Sequence, residues 1–382
     1  MMYVSKSKYL YLFILLLYCC LGRSAEVDAN QVFKIENIEV DETADNAIAA
    51  RDQALENSQR EAWKLLVSRI TLPNDKQKIL AISIDEIKSL VQGYEVVREK
   101  VSPVRYLANI TVAFNPELVR GIFLDNGVPF AETPSLPILL IPIYETNGVS
   151  QLWDGPNPWR DVWKDSAFDN SLLPIIVPSG DFEDIKYLSA SQAINGNLSQ
   201  FETIMEKYDA TKVIVAKVSR KFDLIDNSPL LEITIRLHEA GDYGETIVDV
   251  IKVSPDSDLN ELMIAGKQKI MKSLRSAWKK ENMVTSGVKQ RVSAEVPIMG
   301  LTHWLSIRSK LREIGTLRIF DLVRLTREKA LVDLWIMGSL KQLRNALQHK
   351  RLALYENDEF LILCEQSDIT PQICNEMKNN SK

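Results

Sequence analysis

Histidine and cysteine are scarce in this sequence, which has three histidines and four cysteines among 382 residues. His238, His303 and His349 fall in three different predicted elements, and none has a serine or cysteine partner at a recognisable motif spacing. The sequence therefore predicts no catalytic triad. Neither residue type forms a cluster of metal ligands, so we expect no metal site and no cofactor.

Long apolar runs and runs of basic charge are also missing beyond the N-terminus. No later stretch reaches the ~20 apolar residues that a membrane-spanning helix needs, so no transmembrane helix is expected in the mature chain. The 46 basic and 51 acidic residues are well mixed, which argues against nucleic-acid binding. With 46% hydrophobic and 25% charged residues, the chain is predicted to form two to three globular domains of roughly 100–200 residues each.

The first 24 residues have the layout of a secretory signal peptide. Lys6 and Lys8 precede an uncharged apolar run over 9–21, and Gly22-Arg23-Ser24 places small residues at the cleavage site. Because the run is short for a spanning helix, residues 1–24 are predicted to be cleaved and the mature protein to be periplasmic. The alternative is an uncleaved anchor.

Cleavage would leave Cys364 and Cys374 as the cysteines of the mature chain. In an exported protein these two residues can oxidise to a disulfide that closes a small loop. The alternative is a pair of unpaired thiols.

The apolar run Pro137–Tyr144 (PILLIPIY) predicts a strand buried on both faces, as at the centre of an α/β sheet. This strand begins a middle mixed-sheet α/β domain (135–285), which follows a small α+β domain (30–134). Residues 290–366 show the β-α-β-β-α-β pattern of a ferredoxin-like domain, and the polar tail 367–382 is expected to fray. The predicted fold class is thus multi-domain, α+β and α/β.

Helical periodicity and capping residues predict several helices. Small and apolar residues recur every four positions from Ala50 to Ile70, and Leu65 is expected to widen this buried stripe. Ser83, Asn115 and Ser339 are predicted N-caps. A helix over 301–314 is predicted to bury a stripe that consists of Leu301, Trp304, Leu305, Ile307 and Leu311.

A tryptophan-rich loop over 152–163 is the first candidate binding site. It follows the carboxyl end of the predicted central strand, where open α/β sheets bind ligands. Indole rings beside acids and an arginine suit a sugar ring or a peptide, and the candidate residues are Trp153, Asp154, Trp159, Arg160, Asp161 and Trp163. The alternative is that Trp159 and Trp163, four residues apart, are core anchors, and that Trp153 fixes the loop.

The second candidate site is an acidic segment, Gly180-Asp181 with Glu183-Asp184, which follows the next predicted strand. It suits a cation or a substrate contact. The alternative is a helix N-cap with an acidic first turn, which the positive end of a helix favours.

Several segments resemble a proteobacterial family of exported proteins that is catalogued as domain of unknown function 2066. They are AARDQALENSQREAWKLLVSRI, VQGYEVVREKVSPVRYLANITVAFNPELVRGIFLDNGVPFAET, LWDGPNPWRDVW, VPSGDFEDIKYLSASQAI and VPIMGLTHWLSIRSKLREIG. The resemblance implies export to the envelope of a Gram-negative cell and implies no activity or catalytic residue. The middle domain also looks like the α/β domains of periplasmic assembly proteins, at the level of fold alone.

Three functional hypotheses follow. The favoured one is a non-enzymatic periplasmic protein that binds another envelope protein or acts as an assembly scaffold. The second is a module that binds saccharides or peptidoglycan fragments through the loop 152–163. The third is an envelope hydrolase that uses Asp154, Asp161 or Asp181. The oligomeric state is not predicted.

Overall fold

The computed structural model describes residues 29–380, apart from 165–171, 226–227, 240–241, 253–257, 286–288, 357–359 and 367–370. The predicted signal peptide at 1–24 lies outside the described residues. The described chain is a mixed α/β structure with three separate sheets.

The N-terminal region packs a long helix and three shorter ones around an antiparallel three-stranded sheet with the order β1-β3-β2. After a 3-10 turn, Ala29–Phe33, its elements are β1 Lys34–Thr43, α1 Ala47–Ile70, α2 Gln77–Leu80, α3 Ile84–Leu90, β2 Val91–Val101, β3 Arg105–Phe114 and α4 Pro116–Asp125. The predicted caps are confirmed, because Ser83 forms a capping box on α3 and Asn115 caps α4.

Small buried residues let α1 lie close to β1 and β3, as the four-residue repeat predicts. Ala50, Ala54 and Ala62 are completely buried. The expectation for Leu65 was wrong, because 44% of this residue is exposed. Trp63 and Val67 extend the buried stripe on the opposite side, so Leu65 lies just outside its edge.

The middle region carries the second sheet, with the strand order β5-β4-β7-β8-β9 and β6 paired to β4. Its elements are β4 Ile138–Thr146, β5 Val149–Gln151, α5 Pro158–Lys164, β6 Ile175–Ile176, α6 Phe182–Tyr187, α7 Ala190–Asn195, α8 Leu198–Lys207, β7 Lys212–Phe222, β8 Pro229–Glu239, β9 Asp242–Lys252 and α9 Leu259–Asn282. The acidic segment and the residues after it form two short helices, α6 and α7, since Ser189 caps α7 and starts the second one.

β4 is buried on both faces, as the run of apolar residues predicts. Leu140 and Tyr144 contribute to the core beneath α5 and α9, whereas Leu139, Ile141 and Ile143 contribute to the core beneath α7 and α8. β4 pairs with β7 in parallel and with the two-residue strand β6 at its start. The strand predicted ahead of the acidic segment is therefore only two residues long.

The C-terminal region forms a five-stranded sheet with the order β11-β12-β10-β14-β13. Its elements are β10 Lys289–Pro297, α10 Leu301–Arg312, β11 Leu317–Leu325, β12 Lys329–Met337, α11 Leu340–Gln348, β13 Leu352–Glu356, β14 Leu361–Glu365 and α12 Gln372–Asn380. Ser339 caps α11 as predicted. Leu301 and Leu305 are exposed, contrary to expectation, because α10 buries only a narrow stripe of Trp304, Ile307 and Leu311.

The ferredoxin-like prediction differs from the structure at the last strand. The final strands form a hairpin, β13–β14, and its second arm, β14, pairs with β10 in parallel. The tail is also different from the prediction, because 372–380 forms the helix α12.

The linker between the first two regions is buried. It contacts elements that precede it in the sequence and elements that follow it. Phe130 forms a β-bridge with Val284, and the amide of Ala131 donates to the last carbonyl of α1 at 2.8 Å. The indole of Trp278 on α9 donates to the carbonyl of Thr133 at 3.0 Å. None of the helices in the described residues is both long enough and apolar enough to cross a membrane.

Candidate functional site

The two candidate segments of the sequence meet at the carboxyl end of β6. Trp153 and Arg160 come from the tryptophan-rich loop, and the acidic segment follows β6 directly. The end of α8 completes the site. We call the residues of the acidic segment and of α8 the Asp184 cluster, and they are Ser179, Gly180, Asp181, Asp184, Lys207 and Tyr208.

Asp184 is the centre of this cluster and is completely buried. Its Oδ2 accepts hydrogen bonds from the Gly180 amide at 2.7 Å and from the Tyr208 hydroxyl at 2.8 Å. Its Oδ1 accepts from Lys207 Nζ at 2.8 Å. A buried carboxylate is tolerated only when its charge is balanced and its oxygens are hydrogen-bonded, and both conditions are met here.

Asp181 has two structural roles. Its side chain caps α6 by accepting a hydrogen bond from the Asp184 amide at 3.0 Å, as the N-cap alternative predicts. Both of its carboxylate oxygens also accept from Lys207 Nζ at 2.7 Å. The hydrogen bond from Lys207, followed by the one from the Asp184 amide, lowers the pKa of Asp181 to about 2.

Lys207 holds the cluster together because it contacts both aspartates. Desolvation lowers its pKa, but the hydrogen bonds to Asp181 and Asp184 outweigh that effect, so the pKa is well above its usual range. Burial, opposed by the hydrogen bonds from Ser179, raises the pKa of Tyr208. The cluster therefore places the ammonium group of Lys207 between the side chains of Asp181 and Asp184.

Arg160 connects the tryptophan-rich loop to this cluster. Its guanidinium donates to the carbonyl of Ser179 and lies 5.4 Å from the centre of the Trp153 ring. Gly180 has a φ of +75°, and a Cβ there would lie 2.2 Å from Arg160 Nη2. Only glycine combines that backbone conformation with the close approach of the arginine.

The other tryptophans of the loop lie in the core. Trp159 and Trp163 are 0% and 1% exposed, and their rings pack edge to face with centroids 5.3 Å apart. Trp159 Nε1 donates to the carbonyl of Ala216 at 2.9 Å. Their burial matches the core-anchor alternative, although an edge of Trp163 lines a cavity of about 340 Å³ beside Arg160 and Lys164.

The remaining candidate residues are at the surface or fix the loop. The indole of Trp153 donates to the carbonyl of Leu188 at 2.5 Å, which ties the loop to the start of α7. Asp154 is exposed, and Asp161 forms an exposed ion pair with Lys164 at 2.6 Å. The structure therefore brings Trp153, Arg160 and Asp181 together and leaves Asp154 and Asp161 outside the cluster.

The arrangement is suited to holding a loop in place, and proton transfer is disfavoured. A carboxylic acid with a pKa of about 2 is ionised near neutral pH and is a poor proton donor. No group of three or more histidine, cysteine, aspartate or glutamate side chains in the described residues could hold a metal ion.

Lys207 and Tyr208 were not predicted from the sequence. Lys207 is the last residue of α8, and Tyr208 follows it. A basic residue at the C-terminal end of a helix is common because it complements the helix dipole. Nothing in the local sequence indicates that a lysine 26 positions after Asp181 pairs with it.

Cys364 and Cys374 form a disulfide in the structure. The bond joins β14 to α12. Both cysteines are buried in a small cluster with Ile362, against which Ile373 and Tyr355 pack.

No protein-family model matches the chain, and no curated protein matches it. Among solved structures, it is similar to the PelC dodecamer from Paraburkholderia phytofirmans (11% identity, TM-score 0.26, covering 37% of this chain and 88% of that chain). It is also similar to lipoprotein GNA1162 from Neisseria meningitidis (14% identity, TM-score 0.25, 37% and 98%) and to the LpoB C-terminal domain from Salmonella enterica (16% identity, TM-score 0.21, 36% and 95%). At these TM-scores the likeness carries no argument about this chain.

Proposed function

We propose that this chain is an exported, non-enzymatic protein of the cell envelope that binds another protein along the outer edge of its C-terminal sheet. The signal-peptide layout of residues 1–24 and the resemblance to the exported family support the location. The exposed edge strand β11 supports protein binding, and it is the observation that carries the proposal.

β11 is at the end of its sheet and pairs only with β12 among the described strands. Four of its aliphatic side chains are exposed by 40–56%, and they are Ile319, Leu322, Val323 and Leu325. An edge strand with exposed aliphatic residues is a template for the addition of a further strand, because its outer backbone groups are unpaired.

The edge strand β2 makes a useful contrast. It also exposes apolar residues, such as Tyr94 and Val101. However, charged residues lie between them, namely Glu95, Arg98, Glu99 and Lys100. Charges on an edge strand discourage pairing with another chain. β11 also carries charges, at Asp321 and Arg324, so the choice of β11 rests on its four exposed aliphatic side chains, against two on β2, Val97 and Val101.

The partner we expect is an extended segment of another envelope protein with aliphatic side chains. Such a segment would pair its backbone with β11 and pack its side chains beside Val323 and Leu325. Two register shifts in β11, near Ile319 and near Arg324, restrict the matching segment to a short strand.

The test is site-specific photo-crosslinking in cells, with the crosslinking residue at Val323 and a control at Ile48, an exposed residue of α1. We expect one defined protein, identified by mass spectrometry, to be crosslinked from Val323 and not from Ile48. The crosslink should be lost in Leu325→Lys and retained in Ile48→Lys. A product from Val323 that survives Leu325→Lys, a product consisting of two copies of this chain, or no product would contradict the proposal.

A further inference from the structure

A cleft of about 520 Å³ lies between the middle and C-terminal regions. Helices α8, α9 and α11 line it, together with the linker residues Ser135 and Leu136 and the start of β7. Its volume is within the ~300–1,000 Å³ range of small-molecule sites. It is separate from the Asp184 cluster and from β11, since residues of neither one line it.

Two walls of the cleft carry complementary hydrogen-bonding groups. α8 contributes Glu202 and Glu206, which are four residues apart and therefore on one helix face. α11 contributes Lys341, Asn345 and Gln348, which recur on successive turns of one face. One wall thus offers acceptors, and the other offers the Lys341 ammonium, which lies 3.8 Å from Glu281 Oε2, and two amides that both donate and accept. The Asn345 amide already donates to Asn282 Oδ1 at 3.1 Å, which leaves its carbonyl oxygen for a ligand.

An aromatic ring also lines the cleft. Trp278 of α9 is held by the hydrogen bond from its indole to the Thr133 carbonyl at 3.0 Å. The ring therefore presents a fixed apolar surface to a ligand. A large apolar surface with a few convergent polar groups is the usual composition of a ligand site.

The charges of the cleft restrict the ligand. A cationic peptide would meet Lys341 on α11, and an anion would meet the two glutamates of α8. Glu281 of α9 and Lys212 of β7 add one charge of each sign. Burial lowers the pKa of His349, which also lines the cleft, below its usual value. Since this histidine adds no positive charge near neutral pH, neither sign of ligand charge is strongly favoured.

We propose that this cleft binds a short neutral saccharide. A hydroxyl group both donates and accepts hydrogen bonds, so a sugar can use the carboxylates of α8 and the donors of α11 at the same time. A sugar ring can also pack its apolar C–H groups against Trp278. The saccharide function expected at the loop 152–163 would then be located at a different tryptophan.

A ligand in the cleft would contact both regions of the chain. Binding would therefore stabilise the folded protein by mass action and raise its melting temperature as the ligand concentration increases. It would not require the edge of β11, so the inference is independent of the proposed protein-binding function.

The test is isothermal titration calorimetry of the mature chain with chitobiose and cellobiose as probes. We expect saturable binding at roughly millimolar concentrations or below. Glu206→Gln and Gln348→Ala, both at exposed positions, should each weaken binding about tenfold because each removes hydrogen bonds to the sugar. Glu61→Gln on the exposed face of α1 is the matched control and should bind as the unaltered chain does.

Competing ligands separate the outcomes. Trilysine and citrate are the charged probes, and tighter binding of either one than of both disaccharides would overturn the saccharide assignment. No saturable binding of either disaccharide, or binding unaffected by both cleft substitutions, would overturn the site itself. Leu325→Lys should leave disaccharide binding unchanged, which distinguishes failure of this inference from failure at β11.

Discussion

At the residue scale, Asp184 determines how the loop after β6 is held. Its buried carboxylate accepts hydrogen bonds from a backbone amide, a phenol and an ammonium group. Removing a charge from such a site leaves buried donors without a full set of acceptors. The free energy of folding is therefore expected to depend strongly on this one side chain.

We predict that Asp184→Asn lowers the free energy of unfolding by about 2–4 kcal/mol, because a buried ion pair loses one partner. Asp161→Asn is the matched control. Its ion pair with Lys164 is more than half exposed on both sides, and exposed pairs contribute roughly 0–1 kcal/mol. Urea unfolding followed by circular dichroism measures both values. Equal effects of the two substitutions would contradict the role assigned to Asp184.

Asp181 predicts a dependence of stability on pH. Its pKa in the folded protein, about 2, is below the usual value of 3.8. A carboxyl group with a lowered folded-state pKa stabilises the protein above its unfolded-state pKa, and this contribution is lost as the pH falls through the folded-state value. Between about pH 4 and pH 2, the free energy of unfolding of the Asp181→Asn variant should therefore fall less steeply than that of the unaltered chain. Urea unfolding at several pH values is the measurement, and identical slopes would exclude this contribution.

The capping residues show what can be predicted at this scale. Ser83, Asn115, Asp181 and Ser339 all cap helices in the structure. A cap depends on a contact within three or four residues, so the local sequence contains the information needed to predict it. The pairing of the α8 lysine with the two aspartates of the Asp184 cluster spans the fold and has no local signal.

At the scale of elements, α12 shows how tertiary contacts can override composition. The segment 367–382 is polar, and the sequence predicts a frayed tail. The structure instead has a helix of nine residues, which is too short to be stable in isolation. The disulfide to β14 and the packing of Ile373 on the sheet supply the missing stability.

Cys374→Ser tests this explanation. The disulfide closes a loop with a sequence separation of 10, for which the chain-entropy model gives about 3 kcal/mol of stabilisation. We expect the substitution to lower the free energy of unfolding by roughly 2–4 kcal/mol and to deprotect the backbone amides of α12 in hydrogen exchange. Asn375→Ser introduces the same side chain at the exposed neighbouring position and is the matched control. Unchanged protection of α12 in Cys374→Ser would show that packing alone holds the helix.

Strands and helices differ in how well their buried faces were predicted. Because the run of apolar residues in β4 is continuous, it predicts burial of both faces of the strand, and both faces are buried. On α1 and α10 the stripe was predicted too wide at Leu65, Leu301 and Leu305. A helix has about 100° between successive residues, so the position of the neighbouring sheet decides which residues at the margin are covered.

At the scale of the whole molecule, the buried linker joins the three regions. Arg120 of α4 forms an ion pair with Glu132 of the linker at 2.8 Å, and both side chains are nearly inaccessible. Gly315, which precedes β11, lies directly against this pair. A Cβ on Gly315 would lie 2.0 Å from Glu132 Oε1 and 2.7 Å from Arg120 Nη2.

We predict that Gly315→Ala weakens the attachment of the C-terminal region. The methyl group would displace a buried ion pair, at a cost of about 1–3 kcal/mol. The C-terminal region should then unfold in a separate transition at a lower temperature, which differential scanning calorimetry would detect. Gly121→Ala is the matched control, because a Cβ there meets no atom within 4 Å. That substitution should be neutral or stabilising, since Gly121 is in the interior of α4.

A single transition with an unchanged midpoint in Gly315→Ala would mean that the linker pair does not hold the regions together. A lysine of α9 forms a separate contact, between the middle region and the end of α1 in the N-terminal region. Lys279 Nζ donates to the carbonyls of Ser68 and Thr71 at 2.6 and 2.9 Å, and its pKa is lowered to about 8, chiefly by burial.

Local sequence was enough to predict the strand β4, the helix α1, the caps and the pair of cysteines that the structure joins. Each of these depends on periodicity, on a contact between near neighbours, or on the small number of cysteines. Contacts across the fold were needed to show that β14 pairs in parallel with β10, that Trp159 and Trp163 are buried while Trp153 meets Arg160, and that α8 and α11 line one cleft. These arrangements join residues far apart in the chain, and their free energy comes from burial and charge pairing that no local pattern of residues encodes.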